Sequence, residues 1–534
     1  MHFDVLIAGG GLAGLAAALE ALDRDLNVCL VERGPREELG GLARKSFGGV
    51  TMIDTPLQRR SGIRDNPETA LEDWYSYAEF DDDAQWPKAW AEVYCQHSVT
   101  DIYEWLTQRN VRFMPLVNWP ERGLDRLGNR LPRWHITWGT GQRLVGCLVD
   151  ALDRHPKKVH LTCLYSHKVT GFLFEGDRVL GIQGEHDGTP FEKSAQHVVV
   201  ASGGICGGDL SLVRKHWEPS WGEPPKNLLN GSHKFADGLL HQSVAELGGQ
   251  LTHLQKQWHY AAGVHHPRPK LQAHGLSLVP PRSALWCDAT GKRFGPRPLV
   301  AYTDTRHLVK TICQSPAQYS WLVMNWRIAA KELAVSGTEY MTAFTDQDRI
   351  LLLKNLIFGN HELVKRLTDE CEDFVVANDL EALAGGMNDK SLDGFRVDSK
   401  ALTQSVTNYD RAIARGRKYV TDEQLMRIDA FRRYRGDRIR TCNWQPINHP
   451  KAKPLIAIRC FILARKSLGG MQTDLHSRVL DRDGTPIQGL YAVGEAAGFG
   501  GGGIHGKRAL EGTFLGACVL TGRRAIRAIC GGLS

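Results

Sequence analysis

Apolar residues fall along this chain in blocks whose spacing changes from region to region. The first block, Phe3–Ala8 (FDVLIA), is almost continuously apolar and predicts a buried strand. Glycines follow, then an Ala/Leu segment from Leu12 to Leu22 that predicts a helix, then a second apolar block ending at Glu32 that predicts another strand. Further along, HVVVASGGI (His197–Ile205) and GLYAVGEAAG (Gly489–Gly498) each read as a strand running into glycine. In the middle of the chain, RILLLKNLIF and HELVKRLTDECEDFVVAND predict helices. LIAIRCFILA predicts a strand; it is too short to span a bilayer and carries Arg459.

The order strand, glycine turn, helix, strand, acid gives the first chemistry. Gly9, Gly11 and Gly14 form GxGxxG, in which successive glycines serve a tight turn, room for a pyrophosphate, and close packing of helix on strand. The phosphate would sit at the helix N-terminus, where free N–H groups and the dipole favour an anion. Glu32, eighteen residues after Gly14, ends the second strand, where an acid accepts hydrogen bonds from a ribose. This predicts an α/β, Rossmann-like dinucleotide site, with NAD and FAD both open at this point. Three later stretches favour FAD. Gly40 and Gly41 offer backbone amides to a second phosphate while Ser46, Gly48 and Gly49 approach a flat ring; Ala201, Ser202 and Gly203 end a strand where backbone must near a ligand; Glu495, after Gly494, is placed like a partner for a ribityl chain.

Composition adds limits. The 534 residues, 42% hydrophobic and 23% charged, are a globular balance, and they exclude a disordered chain. The formal charge of +7 is spread out apart from clusters such as Arg415–Lys418 and Arg432–Arg435, which read as solvated surface, so no nucleic-acid partner is expected. The twelve cysteines include no CxxC pair and many sit in apolar stretches, which points to reduced thiols. With no basic segment leading into a long apolar one at the start, a cytoplasmic protein without a transmembrane segment is expected. The histidines show no HExxH or Cys/His metal spacing, so no metal is expected.

The opening DVLIAGGGLAGL, together with GGLARKSFGG, DTPLQRRSGIRDN, HITWGTG and GLYAVGEAAGFGGGGIHGKRALEGTFLG, resembles FAD-binding dehydrogenases of the fumarate reductase and succinate dehydrogenase flavoprotein superfamily, relatives of the 3-ketosteroid dehydrogenases. The resemblance implies an FAD-binding domain built from both chain ends (1–244 and 441–534) and an inserted α+β cap, the substrate domain, over 245–440, whose helical stretches suggest a mostly helical lid. It makes the glycine run Gly500–Gly503 a loop closing on the flavin and places Gly512, Thr513 and Phe514 at a helix start against the ring. Ala13, Arg33 and Asp237, in an Asp-Gly turn, complete the expected FAD contacts.

The resemblance implies FAD-dependent oxidation or reduction of a carbon-carbon bond next to a carbonyl, with hydride moving to or from flavin N5 while a side chain handles the proton. The substrate it suggests is a hydrophobic cyclic ketone or steroid-like compound, with an unidentified electron acceptor or donor. Alternatives are reduction of a small unsaturated carboxylate, for which Arg306, Arg465, Lys466 and Arg508 offer cations, and service as an electron-transfer subunit. By resemblance His259 is a substrate-facing histidine with Tyr260 beside it, Arg306 lies near a proton-donating arginine, and Arg508 follows the glycine loop. Two positions depart from the pattern: Lys466 stands where fumarate reductases carry histidine, and Ile456 where steroid dehydrogenases carry tyrosine. His135 and Trp138 are further pocket candidates, and the absence of histidine between Gly40 and Thr51 implies FAD held without a covalent bond.

Overall fold

The sequence's first predicted unit forms as read. In the computed structural model, which describes residues 3–532, strand β1 (Phe3–Ala8) leads through Gly9–Gly11 into helix α1 (Leu12–Asp23), and strand β2 (Val28–Val31) follows. All of α1 but Asp23 is buried, which its alanines permit because they fill little volume between sheet and neighbouring helix. The strands β3 (Leu161–Leu164) and β4 (Thr189–Val200) extend a parallel core in the order β3, β2, β1, β4, and the C-terminal strand Pro486–Ala492 joins parallel to β4. Every residue of β1 except Asp4 is buried, as expected of a strand covered on both faces.

The chain end returns to its start. The helix Thr513–Ile529 packs along α1, and a Cβ on its Gly522 would lie 2.4 Å from the Ala13 carbonyl oxygen, so glycine is what lets the two backbones approach. Arg523 and Arg527 fix the contact by donating to Glu20 at 2.8 and 3.0 Å.

The chain divides into two compact units, one comprising 1–218, 232–258 and 465–534, the other 219–231 and 259–464. These divisions differ from the expected breaks near 245 and 440. Strand β5 (Gln257–His265) and strand β6 (Leu455–Ser467), which have most of their residues in the second unit, lie in one sheet of eight strands, and β6 pairs antiparallel with Tyr319–Asn325 and Phe374–Ala377. The long apolar strand therefore belongs mainly to this sheet, with helices around it, so the middle of the chain is α+β. Arg459, the one cation of β6's apolar stretch, is compensated by the buried Asp373, which accepts from its Nε and Nη2 at 2.9 and 2.7 Å. Among the described residues no helix is long and apolar enough to cross a membrane.

Candidate active site

The first unit holds an open cavity of about 1020 Å³ at the glycine end of β1, lined by Gly9, Gly11, Ala13, Glu32, Arg33, Gly41, Ala201, Ser202, Gly203, Asp237 and Glu495 among others. The glycines divide by what a side chain would meet. At Gly9 a Cβ would lie 2.4 Å from the Ala201 oxygen, and at Gly14 1.9 Å from the Gly9 oxygen, so both serve close packing. At Gly11 the nearest atom would be 3.9 Å away, at Gly203 3.9 Å and at Gly41 3.6 Å. These three leave room in the cavity, which is the space a dinucleotide's phosphates require beside a helix N-terminus. The cavity therefore fits the pyrophosphate of a dinucleotide.

Glu32 accepts from the Gly10 and Gly34 backbone N–H groups, each at 2.7 Å, which aims it at the cavity; burial raises its pKa, opposed by those hydrogen bonds. Arg33 pairs with Asp237 at 2.6 Å and lies over the Phe235 ring. Glu495 accepts from the Ser467 N–H at 2.9 Å, and burial pushes its carboxyl up to about 7. Sequence reasoning missed other lining residues, among them His167, His233, Phe235 and Cys518. They follow no motif; only the fold brings them in.

Several expected contacts lie outside that lining. At Gly48 a Cβ would collide with Thr140 and Gly141, and at Gly49 and Gly512 with the Trp134 indole; Gly40 would strike Val145 and Gly494 the Ala13 methyl. Ser46 donates to the Ala43 carbonyl at 2.7 Å and accepts from the Gly48 N–H at 3.2 Å. The glycine run is buried and packs on protein: Gly500 against the Trp90 indole, Gly501 against the Trp86–Pro87 backbone, Gly502 against Thr252 and Gly503 against His253. Each of these four has φ between 63° and 157°, so close packing and positive-φ backbone account for the missing side chains.

That run leads into a second cluster in the same unit, at the start of the helix Thr513–Ile529. Gly512 caps it at φ 97°. Lys466 places its ammonium 3.7 Å from the centroid of the Phe514 ring and 4.0 Å from Glu511 Oε1. Trp258 Nε1 donates to Glu511 Oε2 at 3.4 Å. Burial lowers the Lys466 pKa to about 8, with Glu511 opposing. Glu495 and Cys518, both on the cavity wall, also act electrostatically on this amine.

His505 Nε2 lies 2.7 Å from Thr513 Oγ, whose hydroxyl donates to the Leu510 carbonyl at 2.7 Å, so the ring nitrogen is the donor. Burial and then the Lys466 charge hold this imidazole neutral. Glu511, Trp258 and His505 were not foreseen: they lie in two stretches, His505 and Glu511 in the one after the glycine run and Trp258 far before it, and nothing local links them to Lys466.

Arg508 is engaged by Glu79, which also binds Arg126 at 2.6 Å. His135 sits fully buried between Thr55 Oγ at 2.8 Å and the Arg133 carbonyl at 2.7 Å, a structural position. Arg133 itself is locked by Asp65 and Asp73, which gives Asp65 of the DTPLQRRSGIRDN stretch a structural role, while Asp54 of that stretch pairs with Arg59.

In the second unit Arg306 stacks over Trp221 at 4.9 Å, and His259 meets the same indole edge-on at 6.0 Å. Burial and then the Arg306 charge lower the His259 pKa to about 3, so this imidazole stays neutral. Tyr260, the next residue of β5, is half-buried. His265, Glu372 and Asp373 bring ligand atoms within 4.8 Å of one another, but Asp373 is already held by Arg459 and His265, which marks an ion-pair network.

Comparison with known proteins agrees with this geometry. A family model described as FAD binding domain matches residues 4–515. The chain is 42% identical over 545 aligned residues, covering 98% of it and 95% of the relative, to a KsdD-like steroid dehydrogenase of Mycobacterium tuberculosis strain CDC 1551. Its fold is similar to that of a 3-ketosteroid Δ1-dehydrogenase from Sterolibacterium denitrificans solved with 1,4-androstadiene-3,17-dione, with TM-score 0.72, 18% identity and both chains covered fully. It is similar also to a flavocytochrome c3 fumarate reductase in an open conformation, with TM-score 0.68, 20% identity, and 100% of this chain and 79% of that one covered.

Proposed function

The chain belongs to the FAD-binding domain family and is an FAD-dependent oxidoreductase; from that premise we propose that it dehydrogenates a carbon-carbon bond next to the carbonyl of a steroid or similar polycyclic ketone. Gly11, Gly41 and Gly203 hold the pyrophosphate of FAD, Glu32 the ribose, and Glu495 the ribityl chain. Bound there, FAD supplies a two-electron acceptor for the C–H bond that breaks as hydride. The chain's own task is the proton on the neighbouring carbon, and we assign it to Lys466.

The observation that carries this reading is Lys466, its side chain only 13% exposed, with its ammonium 3.7 Å from the centroid of the Phe514 ring, which packs on Trp258; burial lowers its pKa to about 8. An amine displaced this far from its usual value has a useful neutral fraction near neutral pH, which a general base needs. Aromatic walls suit an apolar substrate and keep water from the amine. Glu511 positions the amine and takes up its charge once protonated. The small-carboxylate alternative is less well supported, because two of the cations it would use are engaged by acids: Arg508 by Glu79 and Lys466 by Glu511. His259, neutral with a pKa near 3, is left a hydrogen-bonding role and not that of a base.

Turnover with a dye acceptor tests the reading. A saturated 3-ketosteroid should reduce dichlorophenolindophenol in the presence of the holoprotein and yield an enone, whereas fumarate with reduced viologen should turn over poorly. Fumarate reduction without ketone oxidation would overturn the proposal.

A further inference from the structure

One helix of the second unit presents to solvent what helices ordinarily bury. Helix α2 (Arg349–Phe358, RILLLKNLIF) has no buried residue. Ile350 is 83% exposed, Leu353 59%, Ile357 61% and Phe358 70%, and they recur at the spacing that places side chains on one helical face. The exposure is not fraying. The Asp348 carboxylate caps the helix by accepting from the Ile350 and Leu351 N–H groups at 2.9 Å. At the other end Gly359 closes on Ala330, and the helix rests on Trp326–Glu332 and Thr342–Thr345.

Charge and area identify what the face meets. The only charged groups on α2 are Arg349 and Lys354, both exposed, while the acids Asp346, Asp348 and Glu362 lie beyond its ends and Asp348 is spent on the cap. Long cationic side chains beside apolar ones are the composition of helices that lie in a bilayer interface, the stems following the apolar face and the charges reaching lipid phosphate. A second copy of the chain fits less well. Even at ~200 Å² for each large side chain, the four residues expose about 550 Å², so a second copy would have to bury charged and polar surface around them to reach the roughly 800 Å² per partner of a stable interface. A bilayer has no such threshold, because a helix gains apolar burial residue by residue.

We infer that α2 is a membrane-surface element, by which the protein rests on a lipid bilayer containing anionic headgroups without crossing it. The inference is independent of which substrate the enzyme oxidises. Sedimentation of the full-length holoprotein with vesicles of phosphatidylcholine, with and without phosphatidylglycerol, tests it. Wild type should pellet with the vesicles, more with phosphatidylglycerol present. The double variant Leu353→Glu/Ile357→Glu should lose at least about tenfold in partitioning while keeping its flavin spectrum, and Lys354→Glu should lose the increment due to phosphatidylglycerol. Wild type remaining in the supernatant overturns the inference, and so does pelleting of the double variant to the same extent. A fall in solution mass from dimer to monomer in the double variant, without vesicle binding by wild type, would assign the face to a second copy and overturn it equally.

Discussion

Changing Glu511 to Gln removes one charge 4.0 Å from Lys466 Nζ and leaves an amide oxygen to accept from Trp258. That charge favours protonated lysine, so without it the amine, already lowered to about 8 by burial, should fall further. Two unit charges at this separation interact by about 1 kcal/mol in water-like surroundings and about 4 kcal/mol at the edge of a protein. The corresponding shift is about 1 to 3 pH units. If the neutral amine accepts the substrate proton, the rate of flavin reduction in wild type should rise with pH to a plateau, with a midpoint near 8. In Glu511→Gln the midpoint should lie at least about one unit lower, so that at about pH 6.5 the variant outpaces wild type. Stopped-flow reduction by a ketosteroid from about pH 6 to about pH 10 reads both curves. An unmoved midpoint, or one displaced to alkaline pH, would refute the assignment of the base, and so would wild-type rates in Lys466→Met, which should lose about 10²- to 10⁴-fold while staying yellow.

Other expectations follow from the cavity and the helix clasp. Gly11→Val should give protein poor in flavin, because the branched side chain would occupy the room now left at that glycine; absorbance near about 450 nm against total protein checks it, and full colour would contradict the placement of the pyrophosphate. For Glu495 the folded pKa is raised, from 4.5 to about 7, so it contributes stability at acid pH that is lost as pH rises through 7. Glu495→Gln in the apoprotein should thus narrow that decline by up to about 3 kcal/mol, seen as a larger gain in Tm over wild type at pH 8 than at pH 5.5. Gly522→Val forces a Cβ to 2.4 Å from the Ala13 carbonyl, so it should cost about 2 kcal/mol or more, measured by urea unfolding of the holoprotein.

The first β-strand, glycine turn and helix were legible because their information is local: an apolar run, glycines at fixed offsets, an acid at the next strand end. The glycine run near the chain end was legible only as a place of close approach, since sequence does not say what approaches; the structure supplies Trp90, the Trp86–Pro87 backbone and His253. The second unit's sheet was hidden for a similar reason. Several of its strands are only two to four residues long, such as Ala334–Val335, Leu285–Cys287 and Phe374–Ala377, too short for a period to show against neighbouring helices. Lys466 could be flagged by where it stood, but its partner Glu511 lies 45 positions on and comes within 4.0 Å of it only through the fold.

Anaerobic mixing of the yellow holoprotein with a saturated 3-ketosteroid tests the central claim most directly, because it needs neither an acceptor nor a product assay. The flavin band near about 450 nm should bleach in wild type and persist far longer in Lys466→Met at equal flavin content. A band that no ketone bleaches, in protein whose chemically reduced flavin is promptly reoxidised by fumarate, would contradict it.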